Sequence, residues 1–256
     1  MHAHFRRHSY HRHSHETYSF GVTEAGAQSF TCRGARHTSA AGMVMAFNPE
    51  DPHDGHAIDG GGFTYRMVHV SPAAVRDILA DAAGGAPRLP LFAQPVLASP
   101  LLAQSVRTLH RALSNGTALQ VHEALTSTVL ALIRLGSTGP ASASATANLS
   151  RSGSVRLAGR VRALLDEVYA QDLSADDLAE AAGSSRYAVY RAFRATYGLA
   201  PSEYQRQCRL RLARRLLAGG LRPADAAAAA GFADQAHMTR WFVRSFGFPP
   251  GAYVRA

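Results

Sequence analysis

The sequence predicts an α+β protein of two domains: an N-terminal antiparallel β-barrel followed by helices, and a C-terminal domain built only of helices. Three observations lead to this prediction. Short alternating segments punctuated by glycine and proline fill residues 18–70, apolar positions three to four apart follow, and residues 173–253 carry one pattern twice. A chain of 256 residues is long enough to bury two such cores.

The barrel is predicted from four candidate strands, at residues 18–23, 28–32, 43–47 and 65–70. Turn signals separate them at residues 24–26, 33–34, 48–49 and 59–62. Many short strands at this spacing are typical of a small antiparallel barrel or jelly roll. Four histidines that precede the strands are expected to lie on a mobile arm: His2, His4, His8 and His11.

Three helices are predicted after the barrel, at residues 71–83, 98–114 and 118–135. The third is apolar over a wide face, which favours packing against the barrel and also makes the last two helices a candidate dimer interface. Residues 137–154 are rich in small polar residues and nearly free of charge. They are predicted to be a flexible linker between a domain at 1–136 and a domain at 155–256.

The second domain is predicted from the repeat. Five positions correspond at a constant offset of 49, four with identical residues and one with an aromatic pair: Phe193/Phe242, Tyr197/Phe246, Gly198/Gly247, Pro201/Pro250 and Tyr204/Tyr253. Each copy contains a short helix, a turn at a glycine and a longer amphipathic helix, which is a helix-turn-helix unit. A continuous helix at 201–218, roughly 25 Å long, is predicted to separate the copies by about one turn of DNA.

The longer helix of each copy has a polar face opposite its apolar one. In the first copy this face and the start of the helix contain Arg186, Tyr187, Tyr190, Arg191 and Arg194. In the second copy the face contains Gln235, Ala236, Thr239 and Arg240. Arginine suits phosphates and guanine edges, and tyrosine packs on sugars and methyl groups, so these faces are candidate DNA contacts; the alternative is that both are simply solvated.

The charge distribution favours DNA as a partner. The formal net charge is +9, and from Val155 onward 15 arginines face 9 acids, against 12 and 9 before it. Cys32 and Cys208 are far apart in sequence, so reduced thiols are expected. No stretch approaches the length of a membrane span, so the sequence predicts a soluble, cytoplasmic protein without a membrane partner.

Residues 160–256 resemble the DNA-binding domain of the AraC/XylS family of bacterial transcription regulators. The resemblance rests on residues 229–232, 238–242 and 246–253. It implies a sequence-specific regulator of double-stranded promoter DNA rather than an enzyme, with an inclination to activation through RNA polymerase. The alanine run at 226–230 departs from the pattern at Ala226, where a larger aliphatic residue is usual, so the second unit is expected to be packed less tightly than the first.

Residues 10–75 resemble the cupin-type sensor domain of such regulators, through His13 and His15 before the first long strand, Gly42 at a turn, and residues 48–55. This implies a homodimer that responds to a small-molecule effector, with no cofactor. The expected effector site is a barrel mouth with His15, Tyr18, His53 and Arg66.

Two further hypotheses remain open. His13, His15 and His53, with Glu16 or Glu24, resemble the ligand positions of metal-binding cupins, although sensor domains usually lack the metal. A metal-dependent cupin enzyme with a basic appendage is therefore one alternative. An architectural protein that coats DNA without reading its sequence is the other.

Overall fold

The computed structural model describes residues 2–5, 9–58, 61–83, 87–137 and 151–253. The chain divides into two compact units, Met1–Asn148 and Leu149–Ala256. Of the predicted linker, residues 138–150 lie outside the described part. The last four linker positions belong to a helix that begins at Arg151.

The N-terminal unit is an antiparallel β-structure followed by helices, as predicted. Its strands are β1 (His2–Phe5), β2 (Ser9–His13), β3 (Tyr18–Cys32), β4 (Ala35–Ala40), β5 (Val44–Phe47), β6 (His53–Ala57), β7 (Phe63–Val70) and β8 (Val96–Leu97). The main hydrogen-bonded path runs β1-β7-β3-β5-β8. Since β1 and β8 do not pair with each other among the described strands, the sheet is open rather than a closed barrel.

The predicted turn at residues 24–26 is wrong, because β3 runs through it. Residues 19–22 of β3 pair with β5 and β7, and residues 27–32 pair with β4 and β6. Between the two halves the register with β7 shifts at Thr23/Ala25, and Gly26 has φ +68°. A glycine within a strand signals a bulge as readily as a reversal, and here it lets one strand bend between two sets of partners.

The predicted mobile N-terminal arm is also wrong for the described residues. Residues 2–5 pair with β7, and residues 9–13 pair with β6. Ala3 and Phe5 pack against a buried cluster, while His2 and His4 alternate with them. This alternation of apolar and polar side chains is a strand pattern. His8 lies outside the described residues.

The two faces of the sheet pack against different partners. Tyr18, Phe20 and Val22 face the helices α1 (Pro72–Ala83), α2 (Pro100–Asn115) and α3 (Ala118–Gly136), which form the main core with them. The opposite, inner face buries a second cluster that includes Phe47, Tyr65 and Met67. All three helices were predicted, and side chains of Ser99 and Thr117 cap the starts of α2 and α3.

The C-terminal unit consists of helices, as predicted. They are α4 (Arg151–Val168), α5 (Ala175–Ala182), α6 (Arg186–Tyr197), α7 (Pro201–Ala218), α8 (Pro223–Ala229), α9 (Gln235–Phe246) and α10 (Pro250–Tyr253). The pairs α5/α6 and α8/α9 are the two helix-turn-helix units, joined by α7. Within the part of the chain that the structure describes, no helix has both the length and the apolar character needed to cross a membrane.

Candidate DNA interface and sensor site

Local sequence signals position α6, the longer helix of the first helix-turn-helix unit and its candidate recognition helix. The Ser174 hydroxyl accepts from the Asp177 N–H and the Asp177 carboxylate accepts from the Ser174 N–H, so a capping box starts α5. Gly183 then takes a left-handed conformation (φ +58°), and Ser185 caps α6. Val189 and Phe193 are buried, which leaves the opposite face of α6 toward solvent.

That solvent face carries the residues predicted to contact DNA, and several are held by neighbours. The Arg194 guanidinium donates to the Tyr190 hydroxyl over 2.7 Å, and Arg186 lies 3.3 Å from the Asp176 carboxylate of α5. Tyr187 and Arg191 are half-buried. Contacts of this kind limit the rotamers of long side chains, so less entropy is lost when they bind a ligand.

The second recognition helix, α9, begins at an Asp234 cap and buries Met238 and Phe242. Gln235, Ala236 and Arg240 are exposed and Thr239 is half-buried, so the predicted residues lie on the accessible side of the helix.

Three residues that the sequence analysis did not single out hold α9 against α7. The Trp241 indole N–H donates to Nε2 of His237 over 3.0 Å. The Arg206 guanidinium of α7 lies 3.7 Å from the centre of the Trp241 ring, a cation–π contact. Burial lowers the pKa of His237, and the charge of Arg240 lowers it further. The spacing of four residues between His237 and Trp241 was the available sequence signal.

One arginine of α7 cannot contact DNA. Arg209 is 6% exposed, and its guanidinium donates to the carbonyls of Tyr169 (2.7 Å) and Gln171 (2.6 Å). These bonds tie α7 to the segment after α4. Burial lowers the pKa of Arg209, and the two charge-assisted bonds, from Nε and one terminal nitrogen, offset part of the cost of burying its charge. Arg211, Arg214 and Arg215 are exposed and form the basic surface of α7.

In the N-terminal unit, three of the predicted histidines meet on the inner side of the sheet. His13 ends β2, His15 follows it, and His53 begins β6 directly opposite His13. One ring nitrogen of each lies within 4.8 Å of those of the other two. His69 joins them from the end of β7, with its ring 4.8 Å from that of His15.

The surroundings of His15, His53 and His69 favour the neutral form of these three imidazoles. Burial lowers the pKa of His15, His53 and His69. The neighbouring His13 lowers the pKa of His15 and His53 further, because like charges would repel. A neutral imidazole can accept a hydrogen bond or bind a metal ion through its free nitrogen.

The predicted barrel mouth does not include Tyr18 or Arg66. Tyr18 is buried on the helix side of the sheet, where its hydroxyl donates to the Pro90 carbonyl (2.8 Å) and burial raises its pKa to about 12. Arg66 also points to the helix side and pairs with Glu24 over 2.8 Å. Successive side chains of a strand point to opposite faces of the sheet. Tyr18 and Arg66 therefore lie on the helix side, and His15 and His53 lie on the inner side.

The carboxylates suggested as metal ligands are not in the histidine cluster. Glu24 is held by Arg66 and also by Arg107, at 2.9 Å. Glu16 is exposed and does not join the group of close ligand atoms among the described residues. His69 and Tyr10 were not among the predicted residues. The Tyr10 hydroxyl contacts that of Tyr65 at 2.9 Å. Alternation along β7 was the signal for His69, since Tyr65, Met67 and His69 share one face.

Comparison with known proteins identifies the family. A family model of the AraC-like ligand-binding domain matches residues 1–132, and a helix-turn-helix domain model matches residues 178–256. The transcriptional regulator YbfI of Bacillus subtilis (strain 168) is 33% identical over 227 residues, which are 88% of this chain and 80% of that protein. The chain belongs to the AraC family of transcription regulators.

Three other proteins match shorter parts of the chain. The transcriptional activator NphR of a Rhodococcus species is 38% identical over 96 residues, 37% of this chain and 28% of that protein. An AraC-type regulator of Chromobacterium violaceum aligns at 28% identity and a TM-score of 0.38 over 41% of this chain and 94% of its own. The DNA-binding domain of AdpA, solved with a target DNA, aligns at 28% identity and a TM-score of 0.37 over 38% of this chain and 89% of its own.

The predicted resemblance to AraC-type regulators is thus confirmed for the N-terminal unit and for the C-terminal unit. As an AraC-family protein, the chain is a transcription regulator that combines a ligand-binding domain with a helix-turn-helix DNA-binding domain. This family is not a class of enzymes, which disfavours the cupin-enzyme alternative.

Proposed function

We propose that this AraC-family regulator binds promoter DNA sequence-specifically, with α6 and α9 in two successive major grooves. The observation that carries the proposal is the arrangement of two capped recognition helices on either side of one uninterrupted helix. The 18 residues of α7 span about 27 Å. A rigid spacer of this length suits two contacts about one helical turn of DNA apart.

The proposed base-reading residues are the accessible ones of each recognition helix. In α6 they are Tyr187, Tyr190 and Arg191, with Arg186 and Arg194 toward the backbone phosphates. In α9 they are Gln235, Ala236, Thr239 and Arg240. Arg240 is exposed and is the basic residue of the second set, so it is the best candidate for a bidentate contact to guanine.

Substitution of Arg240 by alanine tests the assignment. We expect a loss of about 1 to 3 kcal/mol in binding to a selected site, with relaxed preference at one base position. Arg222→Ala is the control, because Arg222 is 84% exposed and lies at the start of α8 rather than on α6 or α9. Base preference is measured by sequence selection followed by footprinting. Unchanged preference in the Arg240 variant would show that this residue does not read bases.

The architectural alternative predicts a different result in the same assay. A protein that coats DNA without reading it binds a selected site and a random duplex of equal length with equal affinity. A selected site that binds at least about 10³-fold more tightly at one salt concentration supports the regulator.

We further propose that a small molecule bound near His15 and His53 controls this DNA binding, and that the outcome is activation through RNA polymerase. The match to a ligand-binding domain and the cluster of polar rings on the inner face support the effector. A regulator of promoters works beside the chromosome, so the proposed location is the cytoplasm.

A homodimer is part of the same proposal. Three leucines of α2 and α3 are largely exposed, namely Leu101 (75%), Leu113 (51%) and Leu135 (49%). Exposed leucines on neighbouring helices offer an apolar surface that a second copy could cover.

A further inference from the structure

We propose that His13, His15 and His53 together bind one divalent transition-metal ion of the zinc class. The inference deepens and rests on the proposed effector site near His15 and His53. It is tested without DNA, so its failure would leave the proposed DNA binding untouched. It rests on how close the three imidazoles lie, how two of them are hydrogen-bonded, and which donor atoms the group offers.

The spacing of the nitrogens is close to that of a metal site. Their ligand atoms lie within 4.8 Å of one another. Nitrogens at about 2.1 Å from a tetrahedral ion are about 3.4 Å apart, so closure needs movements of about 1 Å. His13 and His15 are half-buried, at the end of β2 and in the segment after it.

Hydrogen bonds fix the protonated nitrogen on two of the rings. Nδ1 of His13 contacts the His11 carbonyl at 2.7 Å, and Nδ1 of His53 contacts the Asp51 carbonyl at 2.9 Å. A carbonyl oxygen only accepts, so each Nδ1 carries the proton and donates it. In the neutral ring the lone pair is then on Nε2. Histidines that bind metal ions nearly always donate their other nitrogen in this way.

Packing orients the most buried ligand. The His53 ring stacks on Phe47 with a centroid distance of 4.1 Å and an angle of 6° between the planes. His53 is 7% exposed, and its centroid lies 4.6 Å from that of His13. A ring held by stacking and by a hydrogen bond loses little freedom when it binds an ion, which favours affinity.

The donor set indicates the class of ion. The group contains three imidazoles and neither a carboxylate nor a thiolate. Imidazole nitrogen suits Zn²⁺, Cu²⁺, Ni²⁺ and Fe²⁺, whereas Mg²⁺ and Ca²⁺ require oxygen ligands. Three protein ligands leave a tetrahedral ion one open position, which water or an anionic small molecule can occupy.

The test uses the full-length chain without an affinity tag, treated with a chelator and then titrated with Zn²⁺ by calorimetry. We expect one ion per chain in the parent protein. Co²⁺ is the spectroscopic probe, since a tetrahedral nitrogen site gives it intense visible absorption bands that hexa-aqua Co²⁺ lacks. Binding of Zn²⁺ at one ion per chain together with these bands supports the site. The absence of stoichiometric binding overturns it.

Variants separate this cluster from the other histidines. The triple variant H13Q/H15Q/H53Q keeps the four histidines at positions 2, 4, 8 and 11, and H56Q is the matched control. His56 is exposed on the same strand as His53 and alternates to the other face. We expect Zn²⁺ affinity to fall at least tenfold in the triple variant and to stay unchanged in H56Q.

Two further outcomes with the histidine variants test the proposed metal site. Equal Zn²⁺ affinity in the parent and the triple variant would assign the ion to the other histidines and overturn the proposal. If the triple variant unfolds without metal, the single variant H15Q replaces it, because His15 is half-buried and lies between β2 and β3. A tenfold loss is then expected in H15Q, and unchanged affinity in that folded variant overturns the proposal.

Discussion

Two equivalent glycines of the repeat have different surroundings. Gly183 and Gly231 both have positive φ, +58° and +78°, as the turns of both helix-turn-helix units require. A Cβ added to Gly183 would meet nothing within 4 Å, whereas one added to Gly231 would collide with the Ala170 carbonyl oxygen. Gly183 is required for its positive φ alone. Gly231 is required both for its positive φ and because a side chain would collide with the Ala170 carbonyl.

This difference predicts unequal effects of alanine at the two positions. Gly183→Ala should cost about 1 kcal/mol, from backbone strain alone. Gly231→Ala should cost clearly more, because the Ala170 segment must also move. The single tryptophan of the chain, Trp241, reports on unfolding in urea by its fluorescence. Equal losses in the two variants would contradict the steric argument.

His237 predicts a dependence of stability on pH. Its Nε2 accepts from the Trp241 indole, which can only donate, so the ring is neutral in this bond. The charged groups that act on it are Arg240 and Asp234 from its own helix and cap, and Arg206 and Arg209 from α7. Burial and the arginines lower its pKa from the ordinary 6.5, while Asp234 raises it.

The direction of the pH dependence of stability follows from this lowered pKa. The stabilisation is fully present above the unfolded-state value of 6.5 and is lost as the pH falls through the lower folded-state pKa. We expect the urea midpoint, followed by Trp241 fluorescence, to fall more between roughly pH 7.5 and roughly pH 5 in the parent than in His237→Gln. The variant corrects for all other titrating groups. If the urea midpoints of the parent and of His237→Gln fall equally with pH, His237 does not contribute to the pH dependence of stability.

At the scale of elements, the two helix-turn-helix units share one plan and differ in their cores. The core of the second unit includes Ala226, Ala227 and Ala230 from α8, with Phe232, Met238 and Phe242. In the first unit, α5 buries Leu178 and α6 buries Val189 and Phe193. A buried alanine removes less apolar area from water than a buried leucine does, so α8 contributes less than α5.

We therefore expect the second helix-turn-helix unit, α8 and α9, to open more readily than the first, α5 and α6, in the absence of DNA. Amide hydrogen exchange should be faster in α8 and α9 than in α5 and α6, and the difference should shrink when a selected DNA site is bound. The first unit serves as the internal control in the same sample. Matching protection without DNA would refute the expectation.

At the scale of the whole molecule, the excess of arginine predicts how DNA affinity responds to salt. From Val155 onward 15 arginines face 9 acids, and Arg211, Arg214 and Arg215 are exposed on α7. Contacts with six or more phosphates would lower affinity on the order of 10³-fold between about 50 and about 200 mM salt. Fluorescence anisotropy with a labelled duplex measures this dependence. A flat response would exclude phosphate contacts as the main source of affinity.

Helix boundaries were predictable because their signals are local. The helix predicted at 201–218 begins at Pro201, and the side chains of Ser174 and Asp234 cap the starts of α5 and α9. Capping and the fixed φ of proline involve only a few neighbouring peptides. The β-structure was less predictable. At Gly26 the same residue type allows a turn or a bulge, and only the pairing of β3 with distant strands decides between them.

The histidine cluster was likewise predictable only in part from the sequence. His13, His15 and His53 were considered together as metal ligands from the sequence, and their rings do meet. The separate prediction of an effector site joined His15 and His53 to Tyr18 and Arg66, which lie on the other face of the sheet, and it did not include His69. A shift of one residue moves a strand side chain to the opposite face, so membership depends on register between distant strands. The sequence by itself determined the family, the two recognition helices and the arginine surface, because motif spacing and helix capping are properties of short segments. Only the tertiary structure decided which histidines meet and which glycine lies against a carbonyl, because those contacts join residues far apart in the chain.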